Sequence, residues 1–98
     1  MSTDWTKKYV IVRCRDAGVH AGVLERYAGR ECELSESRRL WYWKPIAGAF
    51  LSAVAAHGLS NESKIGHPVD VVLTENCEII ATTEEAEASI RALPSHRE

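Results

Sequence analysis

No apolar run in this chain approaches the roughly 20 residues that a membrane span needs. The opening stretch "MSTDWTKKYVIV" holds none long enough for a signal peptide, so the expected location is the cytoplasm of the cell in which it is made. Cysteine is scarce: Cys14, Cys32 and Cys77 are odd in number, widely spaced and without a CxxC pair. That argues against a disulfide framework and a zinc ribbon, and predicts reduced, mostly buried thiols. Basic excess is also missing. With a net charge of −2 and a pI near 6.1, the chain has no overall footprint for duplex nucleic acid.

Catalytic signatures are missing too. No GxSxG elbow, Walker loop or GxGxxG occurs, so hydrolase, P-loop and dinucleotide-fold readings lack their necessary parts. His20, His57, His67 and His96 are scattered, with no HxH or HExxH spacing, and read as ordinary surface or turn histidines. Glu84, Glu85 and Glu87 form a solvated helix face whose charge suits a helix N-terminus. The expectation is a protein that is not an enzyme and uses no cofactor and no metal.

What is present is enough apolar residue for one modest core, 45% of 98 residues. This predicts a single domain over 1–98 with flexible termini at 1–7 and 94–98. A chain this short buries roughly 60 to 70% of its unfolded surface, so self-association would add stability.

"KYVIVRC" reads as a strand with Val10, Val12 and Cys14 on one face and Tyr9, Ile11 and Arg13 on the other. After the glycine-marked "DAGVHAG", residues 19–34 read as a hairpin turning at Ala28 and Gly29. "SES" is expected to break the ladder before "RRLWYW" resumes as a further strand that Pro45 ends. In "AGAFLSAVAAHG", Ala47, Phe50, Leu51 and Val54 have helical spacing and Gly58 fits the C-terminal cap. "LSNESKIGHP" is a polar loop, "VDVVLTENCEIIA" a last strand region with a break expected near Glu75 and Asn76, and "TTEEAEASIRAL" a closing helix. That helix carries Thr82 and Glu85 as a capping box and Ala86, Ile90 and Leu93 as its inner stripe. The predicted fold class is α+β: a small, mainly antiparallel sheet in the order β-β-β-β-α-β-α with two short helices, assembled as an oligomer.

The stretch that ordinary folding does not explain is "RRLWYWK". It sets three aromatic residues in a row between Arg38, Arg39 and Lys44. Strand alternation would put Arg39, Trp41 and Trp43 on one face and Arg38, Leu40, Tyr42 and Lys44 on the other. Indoles beside a guanidinium suit a nucleotide, with the rings stacking on a base and arginine giving paired donors to phosphate. In the bland alternative the tryptophans are core, and the arginines pair with Glu31 and Glu33. "SNESK", Ser60 to Lys64, could read base edges and hold a phosphate, although the same residues make any solvated turn.

The run "KYVIVRCRDAGVHAGVLERYAGRECELSESRRLWYW", with "SNESK" and "LTENCEIIATTEEAEASI", resembles a family of small phage and prophage proteins, the Thoeris anti-defence sponges. The resemblance spans about residues 8 to 92. It implies a homo-oligomer without enzymatic activity that binds cyclic ADP-ribose isomers made by TIR proteins, with ligand pockets between protomers. Some members also hold cyclic oligonucleotides at a separate site. Carried over by position, it implies ligand contacts from Arg38, Arg39, Trp41, Trp43, Phe50, Ser60, Asn61, Ser63 and Lys64. "KPIAGAF" departs from the shorter link expected after the aromatic strand, which affects the register of Phe50. The competing readings are a structural or adaptor protein whose "WYW" is a protein–protein hot spot, and a single-strand nucleic-acid binder, which the acidic balance disfavours.

Overall fold

The computed structural model describes residues 4–96. Strands β1 (Tyr9–Cys14), β2 (Val19–Ala28) and β3 (Glu31–Tyr42) precede helix α1 (Leu51–His57). Strands β4 (Lys64–Ile65), β5 (Val69–Leu73) and β6 (Asn76–Ala81) follow, and helix α2 (Glu84–Ala92) closes the chain. The sheet is antiparallel, ordered β4-β3-β2-β1-β6, with β5 on β3 as well. The α+β class is as expected; the element order is not. "RRLWYW" is no separate strand but the second half of β3, and three strands rather than one follow α1.

The reason lies at "SES". Glu36 takes a left-handed φ of 53°, and the pairing register shifts on both sides of β3, between Ala21 and Val23 towards β2 and between Leu34 and Ser37 towards β5. A bulge of this kind bends a strand without ending it. The partner strand crosses the bend at Gly22, where a Cβ would lie 2.9 Å from both the Ser35 carbonyl oxygen and the Ser37 Cα, so only glycine fits.

The bend carries the far half of the β2–β3 hairpin back across β1. The Asn76 N–H donates to the Arg30 carbonyl at the hairpin tip, and Asn76 itself pairs with Cys14 at the far end of β1. β1 is therefore covered on both faces, and its two-residue alternation feeds two cores. Tyr9 and Ile11 join Ala21, Leu40, Leu51, Val54, Ile65 and Ile90 under the helices. Val10, Val12 and Cys14 join Leu24, Cys32, Leu34 and Leu73 beneath the folded-over strands. Each fully buried aliphatic side chain contributes about 1.5 to 3 kcal/mol, which explains why so short a chain builds both faces.

The helices are shorter than their sequence patterns. α1 begins only at Leu51, because Gly48 sits at a left-handed φ of 83° and blocks extension towards Ala47. Its buried face is Leu51, Val54 and Ala55, while Gly58 closes it as expected by donating to the Val54 carbonyl. α2 is capped by Thr83 rather than Thr82: the Thr83 hydroxyl accepts from the Ala86 N–H, and Thr82 donates instead to the Tyr9 carbonyl. Ala86, Ile90 and Leu93 are buried, as their spacing predicts. Cys14 and Cys32 are buried and Cys77 is exposed.

Of the termini expected to be flexible, residues 1–3 and 97–98 lie outside the described residues. Trp5 packs against the second core, and the Lys7 N–H donates to the Leu24 carbonyl. The His96 N–H donates to the Ile65 carbonyl, so the tail lines the outer edge of β4. Among the described residues no helix is long and apolar enough to cross a membrane.

Candidate functional site

The last third of β3 alternates as a strand should, with Arg38 and Leu40 buried and Arg39 and Trp41 exposed. Arg38, at 5% exposure, belongs to the interior. Its Nε donates to the Gly66 carbonyl (2.9 Å), its Nη1 to the Ile90 carbonyl (2.8 Å) and its Nη2 to the Ser95 hydroxyl (3.3 Å). The expectation that Arg38 contacts a ligand is therefore corrected: its fork is committed to three segments of its own chain.

Trp43 is also displaced from its expected place. Strand pairing ends at Tyr42, after a register shift between Leu40 and Tyr42, and Trp43 packs half-buried against the helix-side core that holds Leu40. Of the two indoles, Trp41 alone stands on the open face. The Glu31 and Glu33 carboxylates do not serve the β3 arginines either. Arg26 takes both, through Nη1 at 2.8 Å and Nε at 3.0 Å.

Trp41 is 69% exposed. The Lys64 ammonium lies 5.2 Å from its ring centroid, within cation–π range. The His96 ring lies 5.1 Å away, tilted by 33°. Both come from one flank, because β4 pairs beside this part of β3 and the tail lies outside β4. On the other flank β2 pairs Val19 with Leu40, so the next residue back towards Trp41 is Gly18. It has no side chain, a left-handed φ of 82°, and nothing within 4 Å of where a Cβ would be. The indole thus has a furnished side and an open side.

Arg39 shares this face. No hydrogen bond or ion pair engages its guanidinium among the described residues, and it lies opposite His20 in the ladder. His20, buried rather than at the surface, donates from Nε2 to the Ala17 carbonyl at 2.9 Å, which fixes the β1–β2 turn beside the open flank. Burial pulls the His20 imidazole below the ordinary histidine value. The Ala17 hydrogen bond opposes this, and the nearby Arg39 charge adds to it.

"SNESK" forms a tight turn braced against Lys44. The Ser60 N–H donates to the Lys44 carbonyl (2.8 Å), the Lys44 N–H to the Ser63 hydroxyl (2.9 Å), and Lys44 Nζ pairs with Glu62 (2.7 Å). Ser63 is thus engaged structurally. The Ser60 hydroxyl oxygen is buried without a partner among the described residues, and Asn61 is exposed in the turn. Phe50, 78% exposed, sits at the N-cap of α1. The structure therefore brings together Arg39, Trp41 and Lys64 and adds His96 and Gly18, neither of which the sequence placed at this face. Their proximity depends on strand pairing between distant segments.

A concavity of about 280 Å³ is lined by Cys14, Asp16, Ala17, Val72, Leu73, Thr74 and Glu75. Its two carboxylates make it unsuited to an anion. Burial raises the Cys14 thiol and pushes Cys32 up to about 11, so neither is a thiolate nucleophile near neutrality. Among the described residues no group of histidine, cysteine and carboxylate side chains could hold a metal ion.

Fold and surface together define a small α+β protein carrying an exposed indole on one sheet face with two cations, Arg39 and Lys64. The chain belongs to the family described as a domain of unknown function, DUF6948, which it matches over residues 7–90. Neither the curated proteins nor the solved structures gave a match.

Proposed function

We propose that this protein binds a phosphate-bearing aromatic ligand on the Trp41 face and holds it without turnover. The observation that carries this reading is the exposed Trp41 indole, which shares one strand face with the unengaged Arg39 and has the Lys64 ammonium against its ring. An aromatic face is sequence-tolerant stacking surface for a base, and two cations within reach match a pyrophosphate. The resemblance to the Thoeris anti-defence sponges names the ligand to try first. A cyclic ADP-ribose isomer carries an adenine, two riboses and a pyrophosphate, and sequestering it in the host-cell cytoplasm would silence the immune signal.

Arg39→Ala tests the phosphate half. Loss of a charge-assisted contact worth roughly 1.5 to 3 kcal/mol should weaken binding about ten- to a hundred-fold with no change in melting temperature. Titration followed by tryptophan fluorescence reads the affinity, and mass spectrometry after heat denaturation should return intact ligand. An unchanged affinity for Arg39→Ala, or recovery of cleavage products, would sink the reading.

A second reading rests on a different observation. Trp41, Tyr42, Ile46 and Phe50, four large apolar side chains within ten consecutive residues, are all exposed. Such a stretch is the material of a protein–protein contact, either with a second copy of the chain or with another protein in an adaptor role. Self-association on this stretch predicts a mass above the 10.9 kDa of the single chain in light scattering at tens of micromolar. A monomer there would refute the homo-oligomer.

A further inference from the structure

We infer that His96 is a positioning residue of the Trp41 face: the C-terminal segment is anchored so that its imidazole braces the indole in a stacking-ready orientation. This rests on the nucleotide reading of the same face. His96 lies beyond the residues matched to the family, 7–90.

The anchoring is built from the interior outward. Arg38 holds the Ile90 carbonyl near the end of α2 with one nitrogen and the Ser95 hydroxyl with another, fixing both ends of the turn that leaves the helix. One residue on, the His96 N–H donates to the Ile65 carbonyl at 2.8 Å, which adds the tail to the free edge of β4. Ile65 is buried beneath, which ties this edge to the helix-side core. With Ser95 and the His96 backbone both tied, the imidazole is delivered 5.1 Å from the Trp41 ring, tilted by 33°, within the range of favourable ring–ring contact.

An exposed tryptophan otherwise samples several rotamers, and a ligand must select one of them. Immobilising such a side chain on binding costs about 0.5 to 1.5 kcal/mol, so a ring that pre-sets the rotamer strengthens binding about two- to ten-fold. Lys64 cannot do this alone, because a flexible ammonium tethers the indole without defining its plane. The ring of His96 matters here, not its charge. Adenosine and ADP-ribose should therefore lose affinity equally when the ring is removed, since the brace acts on the stacked base and not on the phosphates.

The experiment compares the parent, His96→Ala and His96→Phe for binding of adenosine and of ADP-ribose. The Trp41 indole N–H resonance is followed by NMR, assigned by its loss in Trp41→Phe. His96→Ala should weaken both probes about two- to ten-fold and shift or broaden that resonance, with the folded-state circular dichroism unchanged. His96→Phe, which keeps a ring and removes the imidazole nitrogens, should restore both. If His96→Ala binds as the parent does, or if only ADP-ribose is affected and His96→Phe fails to rescue, the positioning role is wrong while the nucleotide reading stands. A parent that binds neither probe would overturn this inference, and one that also fails to bind a cyclic ADP-ribose isomer would overturn the nucleotide reading.

Discussion

Arg38→Ala is expected to lower stability by about 3 kcal/mol or more. The guanidinium is buried and serves Gly66, Ile90 and Ser95, which belong to the β4–β5 link, helix α2 and the C-terminal segment. Truncation takes this partner from the Gly66 carbonyl and leaves the Ile90 carbonyl with the Leu93 N–H alone, in a region with little water. An unsatisfied buried group costs about 1 to 3 kcal/mol, and the lost side-chain volume adds a cavity. For a domain of this size each kilocalorie moves the melting temperature by about 4 to 8 °C, so a fall of about 12 °C or more is the expected reading. Burial lowers the Arg38 pKa, yet an arginine stays charged throughout the accessible pH range. Arg38→Lys should recover only part of the loss, because one ammonium on a flexible stem cannot meet three diverging acceptors. A loss below about 1 kcal/mol in urea denaturation would show that these bonds do not hold the segments together.

The second large effect separates the two indoles. On the proposed nucleotide-binding function, Trp41→Ala should weaken binding of a cyclic ADP-ribose isomer about five- to 150-fold, since base–aromatic stacking contributes about 1 to 3 kcal/mol. Stability should stay within about 0.5 kcal/mol, because so exposed a side chain leaves no cavity. Trp43→Ala should do the opposite. Its ring packs half-buried on the helix-side core, so its loss should cost about 2 to 3 kcal/mol, below the full range for a buried tryptophan, and leave affinity near that of the parent. Thermal melts and fluorescence titrations on the same samples give both numbers. If Trp43→Ala alone abolished binding, the ligand would have to lie on the helix side of the sheet, and the Trp41 face would be the wrong one.

Pattern of period two or three to four was legible wherever one local rule acted alone. The alternation of Tyr9 to Cys14, the inner stripe of Ala86, Ile90 and Leu93, and the cap at Gly58 are all visible in sequence, because each is set by backbone geometry within a few residues. The candidate site was half legible. Arg39 and Trp41 lie two apart on a strand and must share a face, whatever the rest of the chain does.

Tertiary structure decided the remainder. "SES" carries polar residues that a strand end and a bulge accept equally well, and it is the close crossing of Gly22 and the pairing of β5 with β3 that make it a bend. Charge alone makes Arg38 and Arg39 equivalent; three carbonyl and hydroxyl acceptors from distant segments draw one of them inside. β5 and β6 are adjacent in sequence yet pair with different strands, β3 and β1, because the folded-over hairpin needs an edge strand on each layer. The amino-acid sequence by itself determined which residues can face together along one element. Which elements meet, and hence that His96 reaches Trp41 and that Trp43 does not stand beside it, was settled by burial of two apolar faces around β1, a long-range energy that no local spacing records.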